Sequence, residues 1–107
     1  MPKGSLYSAA MTLGRRIKAA RERLDPKMTQ GKLADAFGIS DKAVSGWERD
    51  KDIPDIAKMP ELRRVLRVTY AWLMEGGNSP PPAIDDPEVL IEDRAINLYR
   101  KEDRRVA

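Results

Sequence analysis

The stretch Gln30–Arg49, QGKLADAFGISDKAVSGWER, decides the reading of this chain. Its apolar residues Leu33, Ala34 and Phe37 recur at helical spacing, and so do Val44 and Trp47. Between the two groups, Gly38 stands where a left-handed residue ends a helix, and Ile39 follows as an apolar residue that turns inward. Thr29 and Ser40 are in position to cap the two helices. The spacing therefore predicts two short helices crossing steeply at a tight turn. The residue at their closest approach must be small, and Ala34 is there.

Working outward, Leu13, Ile17, Ala20 and Leu24 recur at intervals of four, three and four behind Thr12, which predicts a first helix stopped before Pro26. Asp50–Lys58 reads as a loop. Pro60 suits the first position of a fourth helix with Leu62, Val65 and Leu66 inward. Thr69 caps a short fifth helix carrying Trp72 and Leu73 and ending at Gly76-Gly77. No alternating strand pattern occurs, so an all-α five-helix bundle over residues 12–77 is expected, after a flexible arm at 1–11. Gly76 to Pro82 is a break that no helix could cross, giving a Pro-rich linker at 78–86. Beyond it Asp86 and Pro87 open a helix in 87–107, with Ile91, Ala95, Leu98 and Tyr99 on one face.

Composition narrows the chemistry. The 107 residues contain neither cysteine nor histidine, which removes disulfides, thiolate nucleophiles, imidazole bases and nearly every zinc site. No glycine-rich phosphate loop is present, so no enzyme, cofactor or metal is expected. No apolar run approaches the roughly 20 residues of a membrane span, and a cytoplasmic, unexported protein is the expectation. The net charge of +3 is uneven: residues 1–77 carry 15 Lys/Arg against 10 Asp/Glu, and residues 78–107 carry 5 against 7. The first part suits a polyanion, and the tail does not.

The 20-residue pattern resembles the Cro/CI-type (XRE family) helix-turn-helix of phage repressors, and MPELRRVLRVTYAWLMEGG resembles that family's closing two helices. Two departures are Arg67, where the family often has a helix-ending glycine, and a longer loop after the third helix. The resemblance implies a λ-repressor-like bundle that binds operator DNA as a homodimer and represses transcription. It also implies that Ser40, Asp41, Lys42, Ser45, Gly46 and Arg49 read base edges. Lys42 would donate to guanine, Asp41 would accept from a cytosine amine, and Gly46 would leave room for close approach. Thr29 and Gln30 would hold a phosphate at the start of the second helix, with Arg15, Arg16 and Lys51 as further phosphate contacts or simply a solvated face. Arg21 and Glu48 match the family's structural ion pair.

The tail admits three readings: dimerisation, packing on its own domain, or a regulatory partner such as an antirepressor. It is too short for the self-cleaving domain of long repressors, so induction by self-cleavage is not expected. An antitoxin using the tail to hold a toxin, and an interaction module that leaves its DNA face unused, are the alternatives.

Overall fold

The computed structural model describes residues 11–76 and 79–95. Among them every regular element is helical: α1 Leu13–Glu22, α2 Gln30–Phe37, α3 Asp41–Glu48, a 3-10 turn Ile56–Lys58, α4 Met59–Leu66 and α5 Tyr70–Glu75. A further helix, α6, covers 87–95 at the edge of the described residues.

The starts of α1, α2, α3 and α5 follow one local rule. The hydroxyls of Thr12, Thr29, Ser40 and Thr69 accept from the backbone N–H three residues on, at Arg15, Lys32, Ala43 and Trp72. Each satisfies one of the first-turn donors that an α-helix leaves open. The ends of α2 and α4 are set by left-handed residues. Gly38 has φ 65° at the end of α2, with Gly38 N–H donating to Asp35 O and Ile39 N–H to Ala34 O. This is the paired-bond C-cap for which glycine is best suited.

Arg67 ends α4 in the same way, at φ 58° with Val68 N–H donating to Arg63 O. An arginine thus adopts the glycine conformation, against a steric cost of about 1–2 kcal/mol. Its carbonyl is held by Arg23, whose Nη2 donates to it at 2.7 Å while Nη1 donates to Leu66 O and Ala20 O. Burial, and then the charge of Arg67, lowers the Arg23 pKa from its ordinary value.

The core gathers Ile17, Ala20, Leu33, Ala34, Val44, Trp47, Met59, Leu62, Leu66, Val68, Trp72 and Leu73. Phe37 meets Trp47 edge-on, ring centroids 5.9 Å apart, which closes α2 on α3. The segment 50–58 is a loop with one 3-10 turn, started by Asp55 accepting from Ala57 N–H. Pro60 is the second residue of α4, not its first.

Asp50, also left-handed at φ 59°, reaches back to α1, where its carboxylate accepts from Thr12 Oγ1 at 2.6 Å and from Gly14 N–H at 3.0 Å. This draws the start of α1 onto the end of α3. A Cβ at Gly14 would lie 2.3 Å from Trp47 O and 2.6 Å from Asp50 Oδ1, too close without backbone movement. Gly14→Ala is therefore expected to destabilise the fold by about 1–3 kcal/mol. Urea denaturation checks it, and an unchanged midpoint would mean that α1 can move without loss.

The tail packs on its own domain in a way the sequence did not disclose. Trp72 Nε1 donates to Ser79 O and Arg23 Nε to Pro82 O, so the segment before α6 is tied to α5 and α1. Asp86 accepts from Glu88 N–H at the start of α6, as expected of an N-cap. The face of α6 that meets the domain carries Val89, Glu92 and Asp93, and not the face of Ile91 and Ala95. Val89 is buried. Asp93 pairs with Arg63 Nη2 at 2.5 Å, while Glu92 lies 3.4 Å from Arg63 Nε and accepts from Tyr70 N–H at 2.9 Å. Leu98 and Tyr99 lie outside the described residues.

Candidate nucleic-acid interface

The interface is organised by one buried ion pair. Arg21 on α1 donates through Nε to Glu48 Oε2 at 2.6 Å and through Nη2 to Oε1 at 3.0 Å, a two-bond fork on a carboxylate that is 2% exposed. Arg21 Nη1 donates to Met28 O, just before α2. Gln30 Nε2, on the first residue of α2, donates to the same Glu48 Oε1 at 2.9 Å. One carboxylate near the end of α3 thus fixes α1, the start of α2 and α3 together. Its hydrogen bonds hold the Arg21 guanidinium above its ordinary pKa, outweighing burial.

With those helices fixed, the start of α3 is left open to solvent. Ser40, Asp41 and Lys42 are exposed, Ser45 is half-buried, and Arg49 at the C-cap is exposed. Thr29 is exposed and caps α2 through Lys32 N–H. The N–H groups of Gln30 and Gly31 belong to the first turn and have no partner within the helix. Arg15 and Lys51 are exposed too.

Three residues expected at DNA are used differently. Arg16 is buried and its guanidinium is spent on backbone carbonyls: Nε on Leu73 O at 2.9 Å, Nη2 on Met74 O at 3.1 Å, and Nη1 on Met11 O. It caps the end of α5, and burial lowers its pKa despite the nearby Asp50. It leaves the phosphate set for that reason. Gly46 is also buried, and the space a side chain would take is filled by Asp52, whose Oδ2 would lie 2.6 Å from a Cβ there. The close approach that this glycine permits is intramolecular. Gln30 gives its amide to Glu48, so a phosphate contact from its side chain would compete with the network.

Sequence reasoning passed over Lys27 and Lys32, both exposed and each within three residues of the cap Thr29. Their proximity to a helix start was the available signal.

A helix-turn-helix family model matches residues 17–73, more than half of the chain. The chain belongs to this helix-turn-helix family, in its XRE or Cro/CI-type branch. It is 35% identical over 82 residues to the HTH-type transcriptional regulator DicA of Escherichia coli (strain K12), covering 75% of this chain and 59% of DicA. It is 33% identical over 64 residues to the Repressor protein C2 of Salmonella phage P22, covering 60% of this chain and 29% of C2. The XRE-type chain thus spans less than two thirds of either relative. No solved structure gives a significant match.

Proposed function

We propose that this XRE-type chain is a sequence-specific DNA-binding transcriptional regulator, a phage or prophage repressor that occupies a palindromic operator as a homodimer. The observation that carries the reading is the Arg21–Glu48–Gln30 network, which fixes α3 against the start of α2 and leaves Ser40, Asp41, Lys42 and Arg49 open to a ligand. The names of two relatives, one a transcriptional regulator and one a phage repressor, support it.

In this reading the start of α3 enters the major groove. Lys42 donates to guanine O6 or N7, Asp41 accepts from a cytosine amine, and Ser45 serves either role. Thr29 and the backbone of Gln30 and Gly31 hold a phosphate at the positive end of α2, with Lys27, Lys32, Arg15 and Lys51 as further phosphate contacts. One such module reads few base pairs, so two copies on half-sites roughly 34 Å apart supply the remaining selectivity. Repression then follows from occupancy and needs no catalysis.

Two measurements test this. Affinity for duplex DNA should fall with salt, with a log–log slope of several units, because each phosphate contact releases counterions. No complex at low salt would sink the reading. On a site selected from a random pool, Lys42→Ala should weaken binding by about 1–3 kcal/mol and relax preference at one base position. Equal weakening on every sequence would reduce Lys42 to a phosphate contact.

A further inference from the structure

The docking of α6 leaves its other face uncovered among the described residues, and the charges on that face are arranged for self-pairing. At 3.6 residues per turn, Val89, Glu92 and Asp93 share the side that meets the domain, while Glu88, Ile91, Arg94 and Ala95 share the opposite side. Ile91 is 65% exposed and Leu90 48%, each an apolar side chain in water. Glu88 and Arg94 stand three residues before and three residues after Ile91. Among the described residues, neither makes an ion pair within its own chain. Six residues apart on one helix, they point too far from each other to pair with themselves.

We propose that the outward face of α6 is the subunit contact, two copies lying antiparallel with Ile91 on Ile91 and Glu88 of each against Arg94 of the other. The proposal rests on the dimer reading above and names its interface. A two-fold axis through Ile91 brings each position before it opposite the position equally far after it, so one axis generates both ion pairs. Pro87 then faces Ala95, two residues without long side chains, which lets the helices approach. A parallel pair would set Glu88 on Glu88 and Arg94 on Arg94, so the charge pattern selects the antiparallel arrangement and disfavours its rival. The occupant is a second copy because the face complements itself.

The face that residues 87–95 of α6 present is small beside the roughly 1,200 Å² of a stable interface. Pairing through these residues is therefore weak in solution and is completed on DNA, where the first copy raises the effective concentration of the second. Holding α6 through Arg63 and Tyr70 N–H lowers the cost of association, because the helix is ordered before it meets its mate.

Sedimentation of the full chain at low salt, up to about millimolar concentration, tests the interface on exposed positions that leave the core untouched. Glu88→Arg alone and Arg94→Glu alone should each raise the dimer dissociation constant about tenfold, as two attractions become two repulsions. The double variant should return to within about threefold of the parent. Ile91→Glu should leave a monomer whose circular dichroism is unchanged. Single reversals without effect, a double variant no better than the singles, or a dimer that persists in Ile91→Glu would each overturn the interface and leave the dimer reading standing. A parent chain that stays monomeric at every concentration and binds duplex one copy at a time would remove both.

Discussion

Replacing Glu48 with alanine is expected to destabilise the fold by about 3 kcal/mol, because it removes a carboxylate that is 2% exposed and leaves the buried Arg21 guanidinium only the half-exposed Glu22, 3.7 Å away, and Met28 O. Three groups lose a partner at once: Arg21 Nε, Arg21 Nη2 and Gln30 Nε2. The total stability of a domain this size is about 5–15 kcal/mol, so the variant should melt well below the parent. Urea denaturation and thermal unfolding measure it. Arg21→Met combined with Glu48→Leu should recover most of the loss, since apolar residues of similar length remove both charges together. The double variant would still differ from the parent in one respect. With the tie to Gln30 gone, its affinity for a selected operator should fall although its stability is restored. A double variant that regains stability and full affinity would show that the network holds the fold and not the orientation of α3.

Arg63→Ala should cost about 3 kcal/mol and release α6. Arg63 is fully buried, its Nε donates to Val68 O at 2.9 Å, and its Nη2 holds Asp93. Truncation leaves a cavity and an unsatisfied carbonyl at the turn that ends α4. The loss is no larger than that at Glu48, because Glu92 and Asp93 are 31% and 26% exposed and can return to water. Amide hydrogen exchange should show protection lost across 89–93 while Leu33 and Val44 stay protected. Among the described residues Arg63 Nη1 has no hydrogen-bond partner, so part of the burial is uncompensated there. Arg63→Leu, which keeps apolar volume without charge, should therefore be less destabilising than Arg63→Ala yet release α6 as completely. If α6 stays protected in both variants, Val89 and the bond from Tyr70 N–H to Glu92 hold it without Arg63.

The positions of the helices were legible in the sequence because the rules that set them are local. Thr12, Thr29, Ser40 and Thr69 cap within three residues of themselves, and Gly38 ends α2 through carbonyls three and four residues back. The apolar period around Leu33, Val44 and Leu62 marks the core faces for the same reason. The exposure of Ser40, Asp41, Lys42 and Arg49 follows from that phase.

Charged residues were a different matter. Arg15 and Arg16 are adjacent and chemically identical, yet one is exposed and the other is buried on carbonyls 57 and 58 residues away. The phase of Leu13, Ile17 and Ala20 sets Arg16 on the flank of the inward face and Arg15 on the opposite side, but the carbonyls that Arg16 meets carry no signal near it in the chain. Gly46 read as room for DNA until the loop after α3 brought Asp52 over it. Arg67 departed from the expected glycine, but the backbone took the left-handed conformation all the same, because Val68 and Arg23 bond the turn from outside.

The tail shows the division most clearly. Its apolar period put Ile91 and Ala95, with Leu98 and Tyr99, on one face and left three uses of that face open: a second copy, its own domain or a partner. The domain offered instead a buried arginine and the first N–H of α5, and an acidic face answered both. The sequence by itself determined two crossed helices, their caps and the surface that α3 presents. Only the tertiary structure decided which arginines are spent inside the fold and which face of α6 is left for a second molecule, because a buried charge goes to whichever partner the fold brings within 3 Å, at any distance along the chain.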